Sequence, residues 1–485
     1  MPGRADPLPP LVVGFDLDMT LVDARSGIRA AWRALSEETG VQVDGDLAVS
    51  RLGPPLDHEV AHWFPADQVQ AVAARYRQLY GVAGATGVVA MPGAVEALAA
   101  VRAQHGSTLA VTAKHEPNAR LNVAHVGLDL DEVVGDLWAE AKGHALAARG
   151  ASIYVGDHVH DVVGARTAGA VAVAVATGPC TPAELAAAGA DVVLGSLHEF
   201  RGWLDAHLLD VRAADLARRL TGLGSVAVAY SGGADSALLL AAAVRALGAD
   251  NVVAVTAYSD SLPVSERGPG AELADALGVR LVTPSTHEMD REGYRANGGD
   301  RCYFCKAELL DVLAPIAHRL GLAAVATGTN ADDAVAGFRP GIRAAAERGA
   351  VTPLRDSGLT KAQVRELSRQ WGLPTWDKPA AACLSSRIAY GIEVTPSRLA
   401  RVERAEQAVR VVLHDAGIEV ADLRVRDLGT VVRLEVDASA VSAVAACPAA
   451  LDAVRDAGFE DIAIDVRGFR SGSMNDLLDP AGAAH

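Results

Sequence analysis

Short β-branched runs alternate along this chain with longer stretches whose apolar residues recur every three or four positions. LVVGF, LAVT and IYVG read as strands in the first two hundred residues, and residues 24–88, with Trp32, Trp63 and Phe64, read as a helical insert between the first two. From 225 onward SVAVAY, NVVAVTAYS, RLVTPST and AVATGT are strands, and ADSALLLAAAVRAL and GAELADALGV are the helices between them. Strands alternating with helices predict a parallel, doubly wound sheet. Residues 201–224 are amphipathic and without Pro or Ser-rich character, which predicts a helix packed on one neighbour instead of a flexible tether. Beyond 395 the pattern changes. Leu399, Val402, Val409 and Leu413 share one helix face, RVRDLGTVVRLEV reads as a hairpin, and a helix at about 441–457 and the strand DIAIDV complete a small α+β unit. The expected parts are a disordered arm (1–10), an α/β domain with helical cap (11–200), a connector (201–224), a second α/β domain (225–394), a small α+β domain (395–476) and a tail (477–485).

Composition narrows the class. The chain has 485 residues, half of them apolar but only 4% aromatic, so its cores must be built from Ala, Val and Leu. A net charge of −16 argues against a nucleic-acid partner. No apolar run is long enough to span a bilayer and no signal peptide is evident, so no membrane association is expected. Five cysteines in so long a chain make no disulfide framework. In a cytoplasmic setting they are free thiols, metal ligands or catalytic groups.

In LVVGFDLDMTLVD, Asp16 and Asp18 are spaced i, i+2 and share one face at the carboxyl end of a strand. Thr112, Lys142, Asp157 and Asp161 follow at later strand ends and loops. The signature DxDxT, with the later elements in order, resembles the haloacid-dehalogenase (HAD) superfamily of Mg²⁺-dependent phosphatases. That resemblance implies a Rossmann-like domain in which Asp16 attacks phosphorus and Asp18 serves as acid and base. Asp16, the carbonyl of Asp18 and Asp157, with Asp161 beside them, would hold Mg²⁺, while Thr112 and Lys142 would neutralise phosphoryl oxygens. The bland alternatives are solvated strand ends, or a degenerate domain without turnover. The cap does not disclose which phosphate ester is the substrate.

The turn Ser231-Gly232-Gly233-Ala234-Asp235-Ser236 joins a buried strand to a long Ala/Leu helix. Its backbone N–H groups and hydroxyls lie at a helix N-terminus, where partial positive charge favours an anion such as pyrophosphate. It is no Walker A loop, since GK[ST] is missing. SGGxDS resembles the PP-loop of the ATP pyrophosphatases, which implies that Ser231, Gly232, Gly233, Asp235 and Ser236 bind ATP. Gly328, Thr329, Asn330, Asp332 and Asp333, ending another strand, fall where ATP and Mg²⁺ would lie, or are plain loop caps.

Cys302 and Cys305 form a C-x-x-C followed by Lys306, and Cys383 lies between Lys378 and Arg387. Nearby cations favour thiolates. Two close thiols and a distant one can ligate a metal at three positions, or be buried apolar residues; zinc would want a fourth ligand. Cys180 and Cys447 read as packing. Across about 211–476 the segments AYSGGADS, DRCYFCK, GTNADD, RPG, GLTKAQVREL, GLPTWDKPAAACLSSRIAYG and GFRSGSMND resemble the LarE-type ATP-dependent sulfur transferases, the pyridinium-3,5-bisthiocarboxylic acid mononucleotide synthases. The resemblance implies adenylation of a carboxylate on a pyridinium nucleotide, then transfer of sulfur to that carbon for a nickel-pincer cofactor. It leaves two sulfur routes: sacrifice of Cys383 to dehydroalanine, or a 4Fe–4S cluster on Cys302, Cys305 and Cys383 whose open iron carries sulfide. Possession of all three cysteines resembles the cluster type. Arg387 joins the expected ATP-site residues, and a homo-oligomer is implied. Arg424 and Arg426, alternating on one strand, and Arg470 with Ser471 are candidates for substrate phosphate or carboxylates. The rival reading is a PP-loop tRNA thiolase or amidating synthetase carrying a non-catalytic HAD-like scaffold.

Overall fold

The computed structural model describes residues 7–335, 339–379, 383–470 and 473–474. By internal contacts the chain divides into a first unit, Pro9–Leu208, and a second that begins at Leu209. Among the described residues no helix is long and apolar enough to cross a membrane.

The first unit contains β1 (Val12–Phe15), a short antiparallel pair β2 (Val22–Asp23) and β3 (Val89–Ala90), then β4 (Ser107–Val111), β5 (Glu132–Val134), β6 (Ile153–Gly156), β7 (Val171–Val175) and β8 (Val192–Leu194). All but the short pair form one six-stranded sheet in the order β5-β4-β1-β6-β7-β8, each neighbour parallel. Central β1 therefore has β4 and β6 beside it, and the three carboxyl ends deliver Asp16, Thr112 and Asp157 to one edge. Between β2 and β3 lies the helical insert, with helices Arg25–Thr39, Gly45–Ser50, Leu56–Val60 and Val69–Leu79. The Asp44 side chain starts the second of them by accepting from the N–H groups of Asp46 and Leu47. Trp32 packs 4.5 Å from Tyr76, centroid to centroid, and closes the insert's core.

In the second unit β9 (Val226–Ala229), β10 (Val252–Val255), β11 (Arg280–Val282) and β12 (Ala324–Thr327) form a parallel sheet in the order β11-β10-β9-β12. Successive strands are added on one side of β9 as far as β11 and then on its other side with β12, so β9 and β12 flank the switch point at which open α/β sheets bind ligands. The SGG turn follows β9 and the GTN segment follows β12, so both arrive there. Helix Ala234–Leu247 is buried from Ser236 to Ala243, as its nearly uninterrupted Ala/Leu sequence requires. The last part has β13 (Leu423–Asp427), β14 (Val431–Val436) and β15 (Asp461–Ile464) in one sheet, β13/β14 antiparallel and β14/β15 parallel. Helix Pro396–Asp415 covers it with Leu399, Val402, Val409 and Leu413 buried.

Two expectations are corrected. The helix expected over 441–457 is two, Val441–Ala445 and Pro448–Asp456, because Pro448 cannot donate within a helix and starts a new one. Cys447 is the cap between them and not a helical residue. The connector is a helix, Phe200–Leu223, but it does not pack on one neighbour: Phe200, Leu204 and Leu208 lie in the core of the first unit, and Leu209, Leu216 and Leu220 in the core of the second.

Candidate active sites

Asp16, Asp157 and Asp161 are all buried, and one carboxylate oxygen of each lies within 4.8 Å of the others. Lys142 Nζ sits 2.8 Å from Asp16 and 2.6 Å from Asp161, and Thr20 donates to Asp157 at 2.8 Å. Burial holds the carboxyls of Asp16 and Asp157 above the usual carboxylate range, with Lys142 opposing it at Asp16. One ammonium among three carboxylates leaves an excess of negative charge on hard oxygen donors, which fits Mg²⁺. Asp161 is already heavily used, since it also accepts from the His158 N–H and the Tyr154 hydroxyl. Its first task is to anchor Lys142. Gly178 backs the cluster so closely that a Cβ there would lie 1.7 Å from Asp157 Oδ2.

Asp18 stands outside that group. Both its carboxylate oxygens are taken by Lys114 Nζ, at 2.8 and 3.1 Å, and that ammonium also lies 4.4 Å from the centroid of the Tyr80 ring. The sequence reading missed Lys114, although it stands two residues after Thr112. Thr112 is buried and, with the four acids and Lys142, lines a cavity of about 330 Å³ whose other walls come from the insert, from the loop and helix start after β4 (Lys114, His115) and from the segment Asp136–Trp138.

In the second unit the glycine turn closes on itself. Ser236 Oγ accepts from the Ser231 N–H at 3.2 Å and donates to the Gly233 carbonyl at 3.1 Å, and Gly232 takes φ 72°, where a side chain is strained. Asp235 is fixed by Lys361 Nζ at 2.6 Å and by Asn330 Nδ2 at 3.2 Å. Gly328 runs so close to the turn that a Cβ on it would be 2.8 Å from the Ser236 nitrogen. A cavity of about 370 Å³ is lined by Ser231, Gly233, Asp235, Ser236, Gly328 and Thr329, and also by Cys305 and Cys383. Gly232 borders a smaller neighbouring recess.

Other expected residues are placed differently. Asp332 accepts from the Lys361 N–H at 2.8 Å, as the loop-cap reading has it, while Asp333 and Asn330 cap one another and Asp333 also lines the cavity of the glycine turn. The cations that flank Cys383 in sequence are engaged by acids: Lys378 pairs with Glu266 at 2.5 Å, and buried Arg387 pairs with Glu406 at 3.0 Å, its remaining contacts including the Cys383 carbonyl. Arg387 does not line the cavity of the glycine turn. The Cys305 thiol is pushed up, not down, by burial first and then by the charges of Cys383 and Glu288. Cys302 is exposed, and among the described residues the three sulfurs do not converge at single-ion distances. That geometry offers no preformed zinc site. A cubane cluster seats each thiolate on its own iron; Cys302 and Cys305 stand three residues apart on helix Arg301–Arg319, and Cys305 and Cys383 line one cavity. Arg424 and Arg426 are buried on their strand; Arg426 pairs with Glu435 at 2.9 Å. Cys447 packs against the core of the last part. Ser471 and residues 380–382 lie outside the described residues.

A buried carboxylate cluster on one parallel sheet and a glycine turn on another set an HAD-like hydrolase domain ahead of a PP-loop domain. Residues 13–175 match the haloacid dehalogenase-like hydrolase family. The chain is 33% identical over 215 residues to the probable phosphatase IndB of Dickeya dadantii, covering 40% of this chain and 92% of that one. It is 32% identical over 277 residues to the pyridinium-3,5-bisthiocarboxylic acid mononucleotide synthase of Lactiplantibacillus plantarum, covering 57% of this chain and 98% of that one. An uncharacterized protein of Synechocystis, slr1717, is 37% identical over 274 residues, 56% of this chain and 99% of its own. The chain thus belongs to the pyridinium-3,5-bisthiocarboxylic acid mononucleotide synthase family, with an HAD-like hydrolase domain fused at its N-terminus.

Proposed function

We propose that residues 225–476 form a cytoplasmic, homo-oligomeric sulfur transferase that uses ATP to turn a carboxylate of pyridinium-3,5-biscarboxylic acid mononucleotide into a thiocarboxylate, and that residues 11–200 are a Mg²⁺-dependent phosphatase. The observation carrying the first half is that Cys305 and Cys383 share one cavity with Ser231, Ser236 and Thr329. The turn amides and hydroxyls hold the β- and γ-phosphates. A substrate carboxylate oxygen attacks the α-phosphorus, the bond to the bridging oxygen breaks and pyrophosphate leaves. The acyl adenylate then meets a sulfur nucleophile at its carbonyl carbon, and AMP departs. Splitting the conversion in two makes each step easier. Cys302, Cys305 and Cys383 are the donors that would hold a 4Fe–4S cluster, which when bound would carry the sulfide. Without one, the Cys383 sulfur itself is spent.

The test is the intact mass of anaerobically purified protein before and after ATP, Mg²⁺ and the pyridinium biscarboxylate nucleotide. Loss of one H₂S at Cys383 assigns the sacrificial route. Thiolated product with an unchanged polypeptide mass assigns the cluster route. Absence of thiolated product overturns the reading in favour of a tRNA thiolase or amidating synthetase.

In the first unit Asp16 is the nucleophile and Asp18 the acid. Asp16 and Asp157, beside Asp161, would hold Mg²⁺, which screens the incoming phosphate from the carboxylates. Phosphate release that vanishes in Asp16→Asn is the expected result; equal release by that variant overturns it.

A further inference from the structure

We propose that the first unit hydrolyses nucleoside 5′-monophosphates whose ring is uncharged or cationic, the kind of compound an adenylating reaction releases as its by-product. This rests on the reading of that unit as a phosphatase and names its substrate class.

The cavity above the carboxylates concentrates flat surface. Aromatic residues make up 4% of the chain, yet Trp32, Tyr76, Tyr80 and Trp138 all line this one space. Three of them are buried in the insert. Trp138 is half-buried, and its indole is backed by the His160 ring at 4.4 Å with 29° between planes. The backbone on either side of Trp138 is unusual. Asp136 has φ 59° and Ala139 has φ 47°, left-handed conformations that residues with a Cβ seldom adopt. Strain of this kind persists where the surrounding structure holds it for a purpose. Here it presents an indole at the cavity wall, braced from behind, as a stacking platform for a ring.

Charge decides what else the substrate carries. Carboxylates outnumber lysines and arginines on the cavity wall seven to four. Arg51 is matched to Glu59 at 2.6 Å and Lys114 to Asp18, whereas Arg77 meets Asp57 through one nitrogen at 3.3 Å and keeps a buried Nε with no hydrogen-bond partner among the described residues. Apart from that one nitrogen the lysines and arginines of the wall are committed to carboxylates, which counts against bisphosphates and phosphorylated acids. A neutral or cationic ring meets no such penalty, and π-faces accept either. His115 Nδ1, on the same lining, has no hydrogen-bond partner among the described residues, which suits a ribose hydroxyl. The volume of about 330 Å³ is at the small end for ligand pockets, which matches one nucleotide and not two.

The reaction balances with water alone. An Asp16 oxygen attacks phosphorus, the bond from phosphorus to the ribose O5′ breaks, and O5′ takes the proton of Asp18. Water then cleaves the aspartyl phosphate, giving nucleoside and inorganic phosphate.

The experiment measures phosphate release by the full-length chain with Mg²⁺. Its panel is AMP, nicotinamide mononucleotide, the pyridinium biscarboxylate nucleotide, ribose 5-phosphate and acetyl phosphate. The expected result is a kcat/KM for AMP or nicotinamide mononucleotide at least about tenfold above ribose 5-phosphate and above the biscarboxylate nucleotide. Preference for AMP ties the unit to adenylation; preference for nicotinamide mononucleotide ties it to pyridine nucleotides. Trp138→Ala should lower kcat/KM for the favoured nucleotide about tenfold more than for acetyl phosphate, and Trp138→Phe should restore most of the difference. Acetyl phosphate turnover that depends on Asp16, with no preference for a nucleotide over ribose 5-phosphate, overturns the inference and leaves the phosphatase reading standing. No turnover of any ester overturns both.

Discussion

Lys114 Nζ lies 2.8 Å from Asp18 Oδ1, so the carboxylate we propose as the acid is held by a lysine just past the end of the neighbouring strand. Both side chains are largely shielded from water, at 9% and 22% exposure, which makes the pair a positioning device more than a surface ion pair. General acid catalysis matters in proportion to how poor the leaving group is. Lys114→Met should therefore lower kcat for an alkyl phosphate by roughly 10²-fold, and far less for acetyl phosphate, whose leaving group needs no proton. Equal losses on both esters would show that Lys114 serves binding instead.

Gly178 is predicted to be irreplaceable for metal affinity. A Cβ there would occupy the space of Asp157 Oδ2, so Gly178→Ala must turn that carboxylate away from Asp16 and Asp161. Displacing a group of this kind typically weakens metal binding about 10–100-fold. Titration of Mg²⁺ by calorimetry reads it directly, and unchanged affinity would remove Asp157 from the metal set.

The buried acids also set a pH dependence. Desolvation raises the carboxyls of Asp16 and Asp157 in the folded chain, so in the metal-free protein the folded state binds more protons than the unfolded one. Their contribution to stability is present at low pH and is lost as pH rises through the raised values. Mg²⁺ relieves the same repulsion, so the gain in Tm on adding Mg²⁺ to EDTA-treated protein should be larger at pH 8 than at pH 5.5. A gain independent of pH would refute this.

Arg426 offers a test of structure against substrate binding. It pairs at 2.9 Å with Glu435, whose side chain is 0% exposed and which Arg433 also reaches at 2.9 Å. Arg426→Met strands part of a buried carboxylate and should cost about 3–5 kcal/mol in urea unfolding. Adding Glu435→Leu should return most of that loss. If the single variant is as stable as the parent, the pair is not what holds this strand.

What could be read without coordinates was whatever repeats locally. The i, i+2 spacing of Asp16 and Asp18, the SGG turn and the Leu399–Leu413 stripe each follow from the period of the backbone. Pro448 was equally legible as a helix breaker, and the expected long helix overlooked it. Partners distant in sequence were not legible. Arg387 and Lys378 read as cations near Cys383 because Glu406 and Glu266, which neutralise them, are 19 and 112 residues away. Arg424 and Arg426 looked like an open strand face because alternation says which residues share a face, never whether that face is covered. Lys114 stood beside Thr112 in plain sight, but its value depends on meeting Asp18, 96 residues earlier.

The helix Phe200–Leu223 carries a lesson for anyone dividing the gene into halves. Stopping the first half at residue 200 would strip Leu204 and Leu208 from the interior they fill, and starting the second at 224 would do the same with Leu209, Leu216 and Leu220. A join after Leu208 returns every leucine to its owner. Each half then inherits only a stub of helix, at or below the length of about 12–15 residues that is even marginally stable alone in water. Each stub must be folded by the interior it serves, so separately expressed halves begin and end in the middle of what the intact gene writes as one element.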